Sequence, residues 1–187
     1  MLYSITFFAA NEEDFWPDAK KRKGICYQKA VKYLKKNLGA PKENFATAQV
    51  ALEQFVEGKL PRTCGPEMFD AAFAYLAGNF EMITPGAFQD INSILHIDEI
   101  AVWPLFHRDK PPFKLPRSKQ NVNEFGFLSR RTIEEKIADL VSNLPDCKPP
   151  GVAFARNECQ QARNQFMEMC TSLKLDGLAL MGYLSIW

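Results

Sequence analysis

Two histidines and one cysteine are the residues of this chain that first suggest catalysis. His96 precedes Asp98 by two positions, and His107 lies in a proline-rich segment. Cys64 comes just before a helical pattern, and a helix N-terminus favours the thiolate. Neither histidine belongs to H-E-x-x-H, however, and the chain has no C-x-x-C pair. We therefore predict no metal site and no cofactor, and these residues lead to no catalytic assignment.

The signatures of nucleotide-binding proteins and hydrolases are also missing. The sequence contains no Walker loop, no G-x-G-x-x-G and no G-x-S-x-G. The adjacent carboxylates at Glu134 and Glu135 would point in different directions on a helix, so a solvated surface explains them. The sequence therefore favours a protein that works by binding.

The distribution of charge is the strongest indication of a partner. The chain has 23 lysines and arginines and 22 acids, which gives a net charge of +1. Nine of those cations and no acid lie between Lys20 and Lys42, so the remainder of the chain has an excess of acids. Lys29, Lys32 and Lys36 would share one face of a helix. Such a face is either simply solvated or attracts an acidic protein or a phosphate.

The segment 103–123 differs from its surroundings because it contains four prolines and few apolar repeats. We predict an ordered but irregular loop anchored by its large apolar side chains. Trp103, His107 and Arg117 lie in it, and Trp and Arg are enriched at binding hot spots. These three residues are therefore candidate partner contacts, although packing over a sheet would also explain the loop.

Hydrophobic periodicity predicts a helix-rich α+β fold. Residues 2–9 and 178–187 read as strands, and the second is apolar on both faces, as in a strand covered on both sides. We expect both terminal strands in one small sheet. Helical patterns occur near residues 25–38, 44–56, 66–80, 88–95, 129–144 and 156–173.

Length and composition indicate one globular domain spanning residues 1–187. Hydrophobic residues make up 47% of the chain, which is ample for a core. The five cysteines are widely spaced, which favours reduced thiols in the cytoplasm. The first ten residues do not resemble a signal peptide, and no apolar run reaches the ~20 residues that span a bilayer. We therefore expect a cytoplasmic protein that does not enter a membrane.

Four segments carry a resemblance to a known family. They are Ala51–Gly58 (ALEQFVEG), Pro111–Arg117 (PPFKLPR), Phe125–Leu128 (FGFL) and Leu178–Tyr183 (LALMGY), together with the helical patterns around them. In this order they resemble a bacterial family of small domains of unknown function, found in actinobacteria and proteobacteria. The chain is also loosely similar to small uncharacterised enterobacterial proteins. The resemblance implies an α+β fold and brings no reaction with it.

Three functions remain open. The leading hypothesis is a non-catalytic interaction module that binds an acidic protein, for example an immunity protein that neutralises a bacterial toxin. The alternative is an enzyme or small-ligand-binding protein with a pocket under the proline-rich segment. Its polar groups would be His107, Arg117, His96 and Asp98. Binding to nucleic acid is the weakest hypothesis, because the basic segment offers only Tyr33 as an exposed aromatic.

Overall fold

A four-stranded antiparallel sheet joins the two ends of the chain. In the computed structural model its strands are β1 (Tyr3–Ala10), β2 (Glu81–Ile83), β3 (Asn123–Leu128) and β4 (Ala179–Ile186), in the order β2-β1-β4-β3. The structure describes residues 3–15, 24–37, 42–83, 102–111, 113–117, 123–144 and 154–186. The predicted α+β class, with both terminal strands in the sheet, is confirmed.

Helices precede and follow the strands along the chain. The first four are α1 (Glu12–Phe15), α2 (Ile25–Asn37), α3 (Lys42–Val56) and α4 (Pro66–Asn79). A 3₁₀ helix (Trp103–His107) comes before β3, and α5 (Arg130–Glu135), α6 (Ile137–Ser142) and α7 (Phe154–Asp176) separate β3 from β4. The helix predicted near 88–95 lies outside the described residues.

The alternation of side chains along the strands gives the sheet two apolar faces. Phe8 on β1 and Met181 on β4 pack in a first core with α2, α3 and α4. Their neighbours Phe7 and Leu180 point the other way, into a second core with the 3₁₀ helix, α5, α6 and α7. β4 lies between β1 and β3 and is buried on both faces, as its continuous apolar sequence predicts.

The structure differs from the prediction in one helix and two strands. The helix predicted over 129–144 is two short helices, because Lys136 leaves helical geometry at φ −130°, ψ −15°. Strands β2 and β3 were not predicted, and β3 begins within what we expected to be an irregular loop. Ile133, Ile137 and Val141 nevertheless remain buried in the second core, as the helical pattern requires.

Candidate binding surface

Helix α2, which carries Lys29, Lys32 and Lys36, is anchored to the rest of the protein by buried side chains and hydrogen bonds. Ala30 and Leu34 are buried against the first core, and α2 packs mainly against α4. At its first turn the Cys26 carbonyl accepts a hydrogen bond from Asn79 Nδ2 of α4 at 3.0 Å. The Tyr27 hydroxyl donates to Glu53 Oε1 of α3 at 2.9 Å. The inner side of α2 is thereby fixed, and its lysines lie on the outer side.

Lys29, Lys32 and Lys36 are exposed and lie on one side of α2. At 3.6 residues per turn they fall within an arc of about 60°, and they span about 10 Å along the helix axis. We call these three residues the lysine face. Among the residues that the structure describes, none of the three forms an ion pair. The three residues thus place three positive charges on one side of α2.

Lys35 lies beside the lysine face but has a different role. Its Nζ is 5.6 Å from the centre of the Phe45 ring on α3, which is the geometry of a cation–π contact. Lys35 and Lys36 also occupy the last turn of α2, where the helix dipole favours positive charge. Lys29 and Lys32 lie in earlier turns, and neither has a cation–π contact with a ring of the described residues.

Trp103 lies in the interior. Only 6% of it is exposed, and its ring stacks on Phe106 at 5.3 Å between centres. Its indole N–H donates to Glu124 Oε2 on β3 at 2.9 Å. The same carboxylate oxygen is 3.4 Å from Nε2 of the exposed His107, whose ring also meets Trp103 edge-on. Intramolecular contacts thus occupy Trp103, while His107 is held at the surface by Glu124.

Arg117 belongs to the other side of the molecule. Its carbonyl accepts a hydrogen bond from the Cys64 backbone N–H at 3.0 Å, and the preceding Phe113 packs in the first core. Trp103, in contrast, lies in the second core with the residues that surround His107. The structure therefore associates His107 with one face of the sheet and the backbone of Arg117 with the other. The pair His96 and Asp98 lies outside the described residues.

Cys64 and Cys170, the described cysteines with buried side chains, have packing roles. Cys64 is buried just before α4 and its thiol approaches the Pro61 carbonyl at 3.8 Å. Cys170 is completely buried in the second core, and this burial raises its thiol pKa to about 12. A raised pKa leaves almost no thiolate at neutral pH, so Cys170 is unsuited to nucleophilic chemistry.

Tyr183 is buried in the first core, and the carboxylate of the exposed Asp70 lies close enough to influence its hydroxyl. Burial raises the pKa of the Tyr183 hydroxyl to about 12, and the negative charge of Asp70 adds to the shift. Burial and the neighbouring Glu67 raise the pKa of Asp70 in turn. The Tyr183 ring is enclosed by Phe125 at 4.6 Å and Phe73 at 4.9 Å between centres. These ring contacts explain the burial of Tyr183 and give its side chain a structural role.

Comparison with known proteins assigns neither a family nor a function to the chain. No family model, no curated protein and no solved structure matches the chain. The resemblance to small bacterial domains therefore stays a prediction. Within the described ranges, no three His, Cys, Asp or Glu side chains are grouped so that they could hold a metal ion. None of the helices described there is long and apolar enough to cross a membrane.

Proposed function

We propose that this protein is a non-catalytic interaction module that binds an acidic protein through the lysine face of α2. The observation that carries the proposal is the exposure of Lys29, Lys32 and Lys36 on one side of a well-anchored helix, without ion pairs to other described residues. Surface lysines normally lie among acids, which offset their charge. Here the sequence of α2 contains none.

The support of α2 makes the lysine face suitable for binding. Ala30 and Leu34 fix the helix against the first core, and Asn79 and Tyr27 tie its first turn to α4 and α3. A surface that is already ordered loses little conformational entropy when a partner binds. A cluster of one sign of charge also accelerates encounter with a partner of the opposite sign.

Toxin neutralisation in the bacterial cytoplasm is the biological role that we propose for such a module. An immunity protein must reach its toxin quickly, and complementary charge raises association rates at low salt. The same reasoning extends to other acidic protein partners. A small-ligand pocket receives less support, because His107 is associated with one face of the sheet and the backbone of Arg117 with the other.

Affinity capture from a lysate of the source organism tests the proposal. The bait variants are wild type and the charge-reversed triple variant Lys29→Glu, Lys32→Glu, Lys36→Glu. A control reverses the same amount of charge at three other exposed lysines, namely Lys110, Lys114 and Lys136. We expect native mass spectrometry to show a stoichiometric acidic protein on wild type and on the control, and none on the triple variant.

Two results would count against the proposal. Equal capture by the triple variant would remove the lysine face from the binding surface. Capture of no protein by wild type would also count against the proposal, and a small molecule retained in place of a protein would favour the ligand-binding hypothesis.

A further inference from the structure

An exposed isoleucine continues the lysine face toward the start of α2. Ile25 is 75% exposed, although it is a large apolar residue. It precedes Lys29, Lys32 and Lys36 by four, seven and eleven positions, and this spacing keeps all four side chains on one side of a helix. The outer side of α2 therefore presents one apolar side chain followed by three cations.

The position of Ile25 distinguishes it from the other exposed apolar side chains. In the part of the chain that the structure describes, the large apolar residues with high exposure are Ile25, Val50, Met82 and Leu175. Single exposed apolar residues are normal on a protein surface. Of these four residues, Ile25 is the one on α2, in line with the lysine face, where a partner bound to that face would cover it.

We propose that the partner contacts α2 with an acidic amphipathic helix, which packs an apolar side chain on Ile25 and sets carboxylates opposite the lysine face. This inference rests on the proposed function and names the partner's chemistry. Successive lysines on the face rise by about 4.5 and 6 Å along α2. Carboxylates spaced three and four residues apart on a second helix rise by the same amounts, so the two charge patterns match.

The composition of this surface favours a protein helix over a lipid surface. Membrane-surface helices bury a broad apolar face in the bilayer interface. On α2 the apolar residues other than Ile25 face the protein, with Ala30 and Leu34 buried in the first core. Charge alone would attract α2 only weakly to an anionic membrane.

Nucleic acid is disfavoured for a different reason. Proteins that bind single-stranded nucleic acid without sequence preference combine cations with aromatic side chains that stack on the bases. Tyr33 on α2 is half-buried, and its ring packs edge-on against Phe73 at 6.1 Å between centres. It is therefore occupied within the protein.

Designed peptides test this inference with the intact protein. The first probe is an alanine-rich helical peptide with a leucine at position i and glutamates at i+4, i+7 and i+11, which repeats the spacing of Ile25, Lys29, Lys32 and Lys36. The second probe has alanine in place of that leucine. Binding of both peptides is measured by NMR titration for wild type and for Ile25→Ala. Leu175→Ala is the matched control, because Leu175 is also highly exposed, at 84%, but lies on α7 and not on α2.

We expect Ile25→Ala to weaken binding of the leucine peptide by about five- to tenfold, from the apolar area it removes. Binding of the alanine peptide should hardly change, and Leu175→Ala should affect neither probe. An unchanged affinity of Ile25→Ala for the leucine peptide would overturn the inference. If the charge-reversed triple variant still lost that peptide, the proposed function would survive.

Three further results with wild type would overturn the inference. They are failure of the leucine peptide to bind wild type, tighter binding to phosphatidylserine–phosphatidylcholine vesicles than to the peptide, and tighter binding to single-stranded DNA. The last two would identify the lysine face as a lipid or phosphate surface. Retention of the leucine peptide by the charge-reversed triple variant would contradict both this inference and the proposed function.

Discussion

The carboxylate of Glu124 contacts both the buried indole of Trp103 and the exposed ring of His107 in the 3₁₀ helix. A buried indole N–H requires an acceptor, and Glu124 Oε2 supplies one at 2.9 Å. That oxygen also lies 3.4 Å from His107 Nε2, so one carboxylate orients two residues of the 3₁₀ helix. Of these two residues, Trp103 is buried and His107 is exposed. The tryptophan is thereby a structural anchor of β3 and does not belong to the proposed interface.

Tyr183 makes a prediction about stability at high pH. Its pKa rises from 10.0 to about 12 on folding, mainly because of burial, so the folded protein holds the phenolic proton more tightly than the unfolded chain. This contribution is fully present below pH 10 and is lost as the pH rises toward 12. We expect Tyr183→Phe to reduce the alkaline loss of stability by about 1–2 kcal/mol. Urea denaturation at pH 8.5 and 11 would measure it.

The quantity to compare is the loss of stability between pH 8.5 and pH 11 in wild type and in Tyr183→Phe, because other groups also titrate in this range. Cys170 also has a pKa of about 12 in the folded protein, so wild type and variant should both lose stability at high pH. The variant should lose less. An identical loss in the two proteins would show that Tyr183 ionises as easily in the folded protein as in the unfolded chain.

At the scale of elements, α2 carries like charges at a cost to its own stability. Lys32 has lysines three residues before it and four residues after it, and such like-charge pairs destabilise a helix by ~0.2–0.5 kcal/mol each. Lys32→Glu converts both pairs to attractive ones. We expect the free energy of unfolding to rise by about 0.5–1 kcal/mol, measured by urea denaturation at low salt. The same variant should bind the partner more weakly.

A gain in stability with a loss of binding would indicate that the lysine face is kept for a partner. Because the effect is electrostatic, it should shrink in 1 M salt, where the Debye length is about 3 Å. Lys32→Gln serves as the control, since it removes repulsion without adding attraction and should give a smaller gain. A lower stability for Lys32→Glu would mean that Lys32 has a favourable contact in the folded protein.

Helices α3 and α4 could be predicted closely because their apolar stripes coincide with burial. Leu52 and Phe55 on α3, and Phe69 and Leu76 on α4, are all buried in the first core. The lysine face could be predicted for the same reason, since exposure on a helix follows from its period once the buried side is known. These features depend on residues close together in the sequence.

The missed features depend on contacts between distant residues. Gly126 interrupts the apolar alternation of β3, and the reason is tertiary: a Cβ at this position would collide with Phe106 of the 3₁₀ helix. Gly182 on β4 is paired with Gly126 and lies beneath the Phe106 and Trp103 rings. The role of Glu124 also depends on a partner 21 residues away. Local pattern contains no signal for any of these contacts.

For the whole molecule, the sheet makes the two cores mechanically dependent on each other. β1 contributes Phe8 to the first core and Phe7 to the second, and β4 contributes alternate residues in the same way. If one helical layer unfolds, it exposes one apolar face of β1 and β4 while the other layer still covers the opposite face. The prediction of a single domain thus becomes a prediction of cooperative unfolding, even though chains longer than about 150 residues often unfold in stages.

Native-state hydrogen exchange can test this dependence with one substitution in each core. Phe69→Leu on α4 removes packing from the first core, and Phe166→Leu on α7 removes it from the second. Both residues are almost fully buried, so each substitution should cost about 1–2 kcal/mol. We expect either variant to lower the opening free energy of the most protected amides in α4 and in α7 equally. A loss confined to the helix that carries the substitution would instead show two layers that unfold separately on a shared sheet.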